Sequence, residues 1–225
     1  MAQPTGTMIH FTRPDGQSTP AYLVDGPAGR PGIVLIQEWW GLNEHIKGVA
    51  ERLAGLGYTV LAPDLYRGRT TTAADEANHL MTSLDFADAT HQDLQGAVNL
   101  LAAKGAPVGV MGFCMGGALT VAASVHVTGL KAAVCFYGIP PAEFADPAHI
   151  RIPFQGHFAD QDDWCTPAAV DGLVRAMAGA PTPPEVYRYP AQHAFFNHSR
   201  PEVYDAACAE QAWSRMQAFW QAQLG

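Results

Sequence analysis

One cysteine of this chain lies in a pattern that is typical of a catalytic nucleophile. Cys114 is flanked by Gly112 and Gly116, and the motif stands between the apolar run 108–111 and the helix-compatible run 118–123. A strand, Gly-x-Cys-x-Gly and a helix in this order predict a nucleophile elbow, with cysteine where serine is usual. The small residues relieve the crowding of such a sharp turn. The N-terminus of the following helix favours a thiolate and, later, an oxyanion.

An acid and a histidine follow the cysteine in the order that this kind of elbow requires. One strand-like run leads into a group of aspartates, and a later one leads into His193. Because an open α/β sheet places its ligand crevice at the ends of its strands, we expect these side chains to meet near Cys114. The residue types alone leave three acids open. They are Asp160, Asp162 and Asp163.

A carboxylate and two tryptophans, Glu38, Trp39 and Trp40, follow the first buried strand-like run. In the predicted fold this loop lies beside the elbow and supplies the second backbone N–H of an oxyanion hole. We therefore expect the backbone N–H groups of Trp39 and Met115 to face the developing oxyanion. Glu38 is expected to face the thiol, where a carboxylate holds the proton of the resting cysteine or helps to remove it.

Strands and helices alternate along the chain. Residues 7–25 predict two antiparallel strands joined by a turn, and the later strand-like runs are separated by helical patterns. This order predicts an α/β class with a mainly parallel sheet, helices on both faces and an N-terminal antiparallel hairpin, and together with the elbow it predicts an α/β-hydrolase fold. A long helical pattern covers roughly residues 74–104, and a terminal amphipathic helix is predicted over residues 202–223.

The composition is typical of one globular domain, predicted over residues 1–225, with 48% apolar and 15% charged residues. The net charge of −8 disfavours nucleic acid and anionic membranes as partners. No secretory signal or membrane span is predicted. Cys135, Cys165 and Cys208 form no CxxC motif, so neither a zinc site nor a disulfide framework is indicated. We expect a cytoplasmic monomer or weak homodimer without metal or cofactor.

From about residue 7 to its C-terminus the chain resembles the dienelactone hydrolase family, the cysteine branch of the α/β hydrolases. The matching segments, in family order, are Gln37-Glu38 with Gly41-Leu42-Asn43, Pro63-Asp64-Leu65-Tyr66, Gly112-Phe113-Cys114-Met115-Gly116-Gly117, Tyr137-Gly138, Asp160-Gln161-Asp162 with Pro167, and His193-Ala194-Phe195. The resemblance implies a triad of Cys114, Asp162 and His193, with Glu38 as the partner of the thiol. It also implies hydrolysis of an unsaturated lactone that bears a carboxylate; we expect the reaction to pass through an acyl-thioester.

The sequence departs from this family where the substrate carboxylate is expected to bind. Members specific for dienelactone are expected to use two arginines, one in the first long helical segment and one shortly after the histidine. Residues 71–95 contain no arginine or lysine, and Arg67 and Arg69 are the basic residues nearest to that place. After the histidine motif stands Asn197, and the nearest arginine is Arg200. We therefore predict a small ester or lactone substrate, with a general carboxylesterase acting on neutral esters as the alternative.

Aromatic side chains near these motifs predict a pocket for a flat or apolar acyl group. The predicted pocket residues are Trp39, Trp40, Phe113, Tyr137, Trp164, Phe195, Phe196 and, as a polar neighbour, Asn197.

A function of another class also uses Cys114, that of a thiol redox or peroxide-sensing protein. It requires a resolving cysteine close by, for which Cys135 and Cys165 are the candidates. Loss of ester turnover on alkylation favours the hydrolase, whereas peroxide turnover coupled to a thiol donor favours the sensor. A metal site built from His193 and His198 is disfavoured, because a spacing of five residues does not place two side chains on one helical face.

Overall fold

One eight-stranded sheet forms the centre of the protein. The computed structural model describes residues 4–225. The strands are β1 Thr7–Thr12, β2 Ser18–Val24, β3 Gly32–Ile36, β4 Thr59–Pro63, β5 Val108–Phe113, β6 Leu130–Phe136, β7 Phe154–Gln161 and β8 Glu185–Gln192. Their order across the sheet is β1-β2-β4-β3-β5-β6-β7-β8. β1 and β2 pair antiparallel, as do β2 and β4, and the other pairs are parallel. The predicted N-terminal hairpin and mainly parallel sheet are confirmed.

Helices cover both faces of this sheet, as predicted. They are α1 Glu44–Gly55, α2 Ala74–Ser83, α3 Phe86–Asp88, α4 Gln95–Ala102, α5 Met115–His126, α6 Pro167–Ala176 and α7 Ala206–Leu224. One core cluster packs α1 and α7 against the sheet, and a second packs α4, α5 and α6 against its other face. Every residue of β3 and β5 is buried, which explains why these strands read as continuous apolar runs.

Two helical predictions differ from the structure in their limits. The long segment predicted over 74–104 is broken after α2, because the Asp85 side chain accepts the backbone N–H of Asp88 and starts α3 anew. A π-helical turn, Ala89–Leu94, then joins α3 to α4. The terminal helix begins at Ala206 rather than at residue 202, since Asp205 caps it through the N–H of Cys208. Among residues 4–225, no helix is long and apolar enough to cross a membrane.

Candidate active site

The predicted elbow is present as a strained turn between β5 and α5. Cys114 has φ 55° and ψ −115°, an unfavourable conformation for a residue that carries a side chain. A Cβ atom built on Gly112 would lie 2.3 Å from the carbonyl oxygen of Gly116, and one built on Gly116 would lie 2.5 Å from that of Ile36. Neither position has room for a larger residue. The spacing of the two glycines therefore follows from the sharpness of the turn that presents the sulfur.

Two hydrogen bonds connect the Cys114 sulfur to a buried carboxylate. His193 Nε2 lies 3.1 Å from Cys114 Sγ, and His193 Nδ1 lies 2.7 Å from Asp162 Oδ2. Both partners directly follow strands: β7 ends at Gln161 and β8 at Gln192. The ends of adjacent parallel strands lie on the same edge of the sheet, and this brings residues 79 and 31 positions apart in sequence into contact.

Burial and backbone contacts distinguish Asp162 from the two neighbouring aspartates, Asp160 at the end of β7 and Asp163 in the following loop. Asp162 is 3% exposed, and its second oxygen accepts the backbone N–H groups of Trp164 and Cys165 at 2.7 and 2.9 Å. Asp160 and Asp163 are exposed. Because these contacts hold the Asp162 side chain in one orientation, its carboxylate can orient the histidine. Of the three acids that the residue types left open, the structure brings Asp162 to His193.

The hydrogen bonds of this group shift its protonation equilibria. Burial lowers the pKa of His193, but the hydrogen bonds to Asp162 and to Cys114 outweigh it and raise that pKa to about 10. Burial raises the pKa of Asp162, whereas the hydrogen bonds from His193 and from two backbone N–H groups lower it, with a net decrease. These contacts therefore favour the protonated form of His193, the form that a general base reaches when it accepts a proton.

Glu38 is buried beside this group but has partners of its own. Its carboxylate accepts hydrogen bonds from the Asn197 side-chain amide and, at 3.4 Å, from the Tyr137 hydroxyl. Glu38 and Cys114 line the same cavity, whereas the hydrogen-bond partner of the sulfur is His193. Burial raises the pKa of Glu38 to about 7, against the lowering effects of the Asn197 hydrogen bond and of the charge on His193.

This pKa predicts a pH-dependent penalty on stability. Between pH 4.5, the ordinary value, and about 7, the unfolded chain releases the Glu38 proton while the folded protein keeps it. The free energy of unfolding therefore falls as the pH rises through this window, by up to about 3 kcal/mol at ~1.36 kcal/mol per pKa unit. In Glu38→Gln, urea unfolding at pH 5 and pH 8 should show a correspondingly smaller fall. The exposed control Glu143→Gln should keep the wild-type fall, and identical pH dependence in Glu38→Gln would contradict the raised pKa.

Trp39 and Met115, whose backbone N–H groups are predicted to form an oxyanion hole, line the same cavity as Cys114. Met115 is the first residue of α5, and the first N–H groups of a helix have no acceptor within it. Among the hydrogen bonds of residues 4–225, neither Trp39 N–H nor Met115 N–H has a protein acceptor. Both donors are therefore available to an oxygen atom near the sulfur.

A cavity of about 630 Å³ opens at the sulfur. Of the predicted pocket residues, Trp39, Trp40, Tyr137 and Trp164 line it. The prediction needs correction at four positions. Phe113, Phe195, Phe196 and Asn197 are buried away from the cavity.

Core packing explains these four corrections. Phe113 stacks on Phe196 with ring centroids 5.1 Å apart, inside the core cluster beneath the site. Phe195 packs at 4.9 Å on Tyr189 in the same cluster. Asn197 instead holds the Glu38 carboxylate. Phe113 directly precedes Cys114, yet its side chain leaves the backbone in a different direction and enters the core.

Comparison with known proteins gives the chain its family. The model of the dienelactone hydrolase family matches residues 20–224. The chain belongs to the dienelactone hydrolase family. Its relatives include "Protein usf" of Aquifex pyrophilus, 31% identical over 97% of this chain and 99% of that protein. A "Putative carboxymethylenebutenolidase" of Escherichia coli is 33% identical over 89% of this chain and 81% of its own length.

Solved structures agree with this assignment. The crystal structure of a "Putative Dienelactone Hydrolase" from Klebsiella pneumoniae superimposes with a TM-score of 0.84 and 26% identity, covering 96% of this chain and 99% of the other. The α/β-hydrolase fold predicted from the order of elements is confirmed, and the chain is an enzyme of the carboxylic ester hydrolase class.

Of the three arginines weighed from the sequence, one reaches the cavity of this dienelactone hydrolase family member. Arg200 lines the cavity, with its guanidinium 5.2 Å from the centre of the Trp40 ring and an ion pair to Glu202 at 2.6 Å. Arg67 instead binds the buried carboxylate of Asp93 at 2.9 Å, and Arg69 pairs with Glu76. Neither of these two lines the cavity.

Sequence reasoning missed the apolar part of the cavity wall. It includes Met81, Phe86, Ala118, Ile139, Pro140 and Pro141. Met81 and Phe86 belong to a segment whose sequence shows only helical periodicity, and nothing in that pattern indicates which side chains reach a distant cysteine. Within residues 4–225, no group of three or more His, Cys, Asp or Glu side chains is arranged to hold a metal ion.

Proposed function

We propose that the protein hydrolyses small esters and lactones with Cys114 as nucleophile, His193 as general base and acid, and Asp162 as the group that orients the histidine. The observation that carries the proposal is the continuous hydrogen-bonded path from the sulfur through His193 to a buried carboxylate, at the opening of a largely apolar cavity. Nucleophile, base and orienting acid in hydrogen-bond contact are the arrangement that covalent acyl transfer requires.

The proposed reaction has two halves. His193 takes the proton of the Cys114 thiol, the thiolate adds to the carbonyl carbon, and the N–H groups of Trp39 and Met115 bind the resulting oxyanion. Collapse breaks the bond to the alcohol oxygen, which takes the proton of His193 and leaves an acyl-thioester; in a lactone this step opens the ring. His193 then removes a proton from water, which attacks the thioester. Collapse releases the carboxylic acid and expels the Cys114 thiolate, which takes back its proton from His193.

Glu38 is proposed as the proton partner of the resting thiol. A carboxyl group with a pKa of about 7 exchanges its proton near neutral pH, and Glu38 shares the cavity wall with Cys114. Whether it removes the thiol proton or only holds it is decided by the rate of thiol alkylation in Glu38→Gln. A faster rate in the variant indicates a group that protects the thiol, and a slower rate indicates a base.

Arg200 is proposed to bind a carboxylate on the substrate. The side chain is 31% exposed and forms part of the cavity wall, so its guanidinium is available to an anion that displaces Glu202. Within residues 4–225, Arg200 is the one arginine that lines the cavity, against the two that the family pattern predicts. This supports an ester or lactone that bears a carboxylate, and it keeps a general carboxylesterase with neutral substrates as the second candidate.

Arg200→Gln is expected to lower kcat/KM for a carboxylated lactone by roughly ten- to a hundredfold, since a charged hydrogen bond is worth about 1.5–3 kcal/mol. The methyl ester of the same lactone should lose much less. Arg69→Gln, which removes an exposed arginine outside the cavity, is the matched control and should leave both substrates unaffected. An equal loss on both substrates would mean that Arg200 only supports its loop, and no wild-type preference for the carboxylate would favour the general carboxylesterase.

The thiol redox alternative has weaker support. Cys135 is fully buried, its thiol donates to the carbonyl of Gly138 at 3.1 Å, and burial raises its pKa to about 12. Cys165 shares the cavity with Cys114, but burial and the nearby Asp162 charge raise its pKa well above the ordinary value. A resolving cysteine attacks as a thiolate, which neither site favours at neutral pH.

A further inference from the structure

The cavity is larger than the lactone that the family resemblance implies. Its volume is about 630 Å³, within the range of ~300–1,000 Å³ that encloses drug-sized ligands. A lactone of about ten non-hydrogen atoms fills on the order of 200 Å³, if each atom needs somewhat less than the ~30 Å³ of a water molecule. Most of the cavity is therefore left for a further part of the substrate.

One wall of the cavity is apolar, and its side chains pack against the second core cluster. Trp39, Met81, Phe86 and Ile139 are each partly buried against the second core cluster, and each also lines the cavity. Ala118, one helical turn after Cys114 on α5, continues this wall beside the sulfur.

Phe86 is fixed in this wall by its neighbours. Its ring meets the ring of Phe144 edge to face at 6.3 Å, and the backbone N–H of Phe144 donates to the carbonyl of Pro141, which also lines the cavity. The helix that begins at Phe86 continues into the π-helical turn that packs on α5. The ring is thus held in place, with one side available to a ligand.

The side chains named in this wall carry no charge and offer no cationic group to an anion. The segment 71–95, where the family pattern predicts an arginine, has none, and its contributions to the cavity are Met81 and Phe86. The arginine that lines the cavity, Arg200, lies instead on the segment after β8, against Trp40. The apolar wall and the arginine that could bind a carboxylate are therefore supplied by different elements.

We propose that Met81, Phe86, Ala118 and Ile139 form a subsite for an apolar arm of the substrate, an alkyl or aryl group of about four or more carbons. This inference rests on the proposed function and assigns it a substrate class: esters that combine a reactive carbonyl at Cys114 with a bulky apolar group. We call this surface the apolar subsite. Binding of the arm is favourable because apolar surface of the substrate leaves water and contacts the carbon and sulfur atoms of the wall.

The test is the dependence of kcat/KM on chain length for two ester series, one varied in the acyl part and one in the alcohol part. Full burial of one methylene stabilises the bound substrate by about 0.8 kcal/mol, which corresponds to a roughly fourfold rise in kcat/KM. Because the subsite is open on one side, we expect at least a tenfold rise in the wild-type protein over four methylenes in at least one series. A flat profile in both series overturns the proposal.

Phe86→Ala should lower the ratio between the long and short esters by at least about fivefold. The ratio is compared within each variant, so loss of folded protein does not affect it. Leu84→Ala is the matched control, since Leu84 is partly buried in the same segment but does not line the cavity, and its ratio should equal that of the wild type. Met81→Ser provides a second variant should Phe86→Ala fail to fold. Wild-type ratios in both cavity variants overturn the subsite.

The subsite and the proposed function fail in different ways. If Cys114→Ala hydrolyses the long ester as fast as the wild type, the proposed nucleophile is wrong whatever the chain-length profile. If turnover depends on Cys114 but the ratio does not respond to Phe86 or Met81, only the subsite is wrong.

Discussion

Cys114→Ala is expected to lower kcat/KM for a simple aryl ester by about 10⁴–10⁶-fold while the protein stays folded. The variant removes the sulfur that would form the covalent intermediate, and the remaining groups only bind substrate and activate water. Alanine occupies the strained backbone position no worse than cysteine does, because both carry one Cβ. Circular dichroism and the urea midpoint check the fold.

Cys208→Ala is the matched control for this prediction. Cys208 is a free thiol like Cys114, but it is buried and lies on α7, in the core cluster on the far side of the sheet from α5. Its loss should leave kcat/KM within about twofold of the wild type. Near-normal ester turnover by Cys114→Ala would remove the basis of the proposed mechanism.

Asp162→Asn is expected to produce the second largest loss, about 10⁴-fold in kcat/KM. An asparagine fills the same space, but it neither stabilises the protonated imidazole nor fixes the tautomer that presents Nε2 to the sulfur. The high pKa of His193 should fall as well, since the hydrogen bond to Asp162 is a main cause of it. Titration of the His193 ring by NMR measures this shift independently of turnover.

Asp160→Asn is the control, because Asp160 lies two residues before Asp162, near the end of β7, and is exposed. Its activity and the titration of His193 should match those of the wild type. If Asp160→Asn lost activity and Asp162→Asn did not, Asp160 would orient the histidine and the role proposed for Asp162 would be wrong.

The sequence predicted those parts of the protein that depend on local spacing. The elbow, the hairpin and the order of strands follow from glycine positions, turn residues and apolar runs, each of which acts over a few residues. The choice among three aspartates did not follow, since identical residue types differ only in burial and in the backbone N–H groups they accept. Asp162 is distinguished by contacts with Trp164 and Cys165 that exist only once the loop has folded.

The residues that line the cavity were predicted less well, because the contacts that place them also exist only in the folded chain. Phe113 lies next to Cys114 in sequence, yet its ring points into the core, because the turn sends consecutive side chains in different directions. Met81 on α2 and Phe86 on α3 line the cavity from the two sides of the break in this helical segment. No periodicity within that segment encodes the distance to the sulfur.

The most direct test of the mechanism is the covalent intermediate itself. The protein is mixed with an activated aryl ester, the reaction is quenched in acid within the first turnover, and the digested chain is analysed by mass spectrometry. We predict a burst of aryl alcohol equal to the enzyme concentration and an acyl group on the peptide that contains Cys114. A burst with the acyl group on another residue, or turnover without any acyl-enzyme under conditions that slow its hydrolysis, would contradict the account.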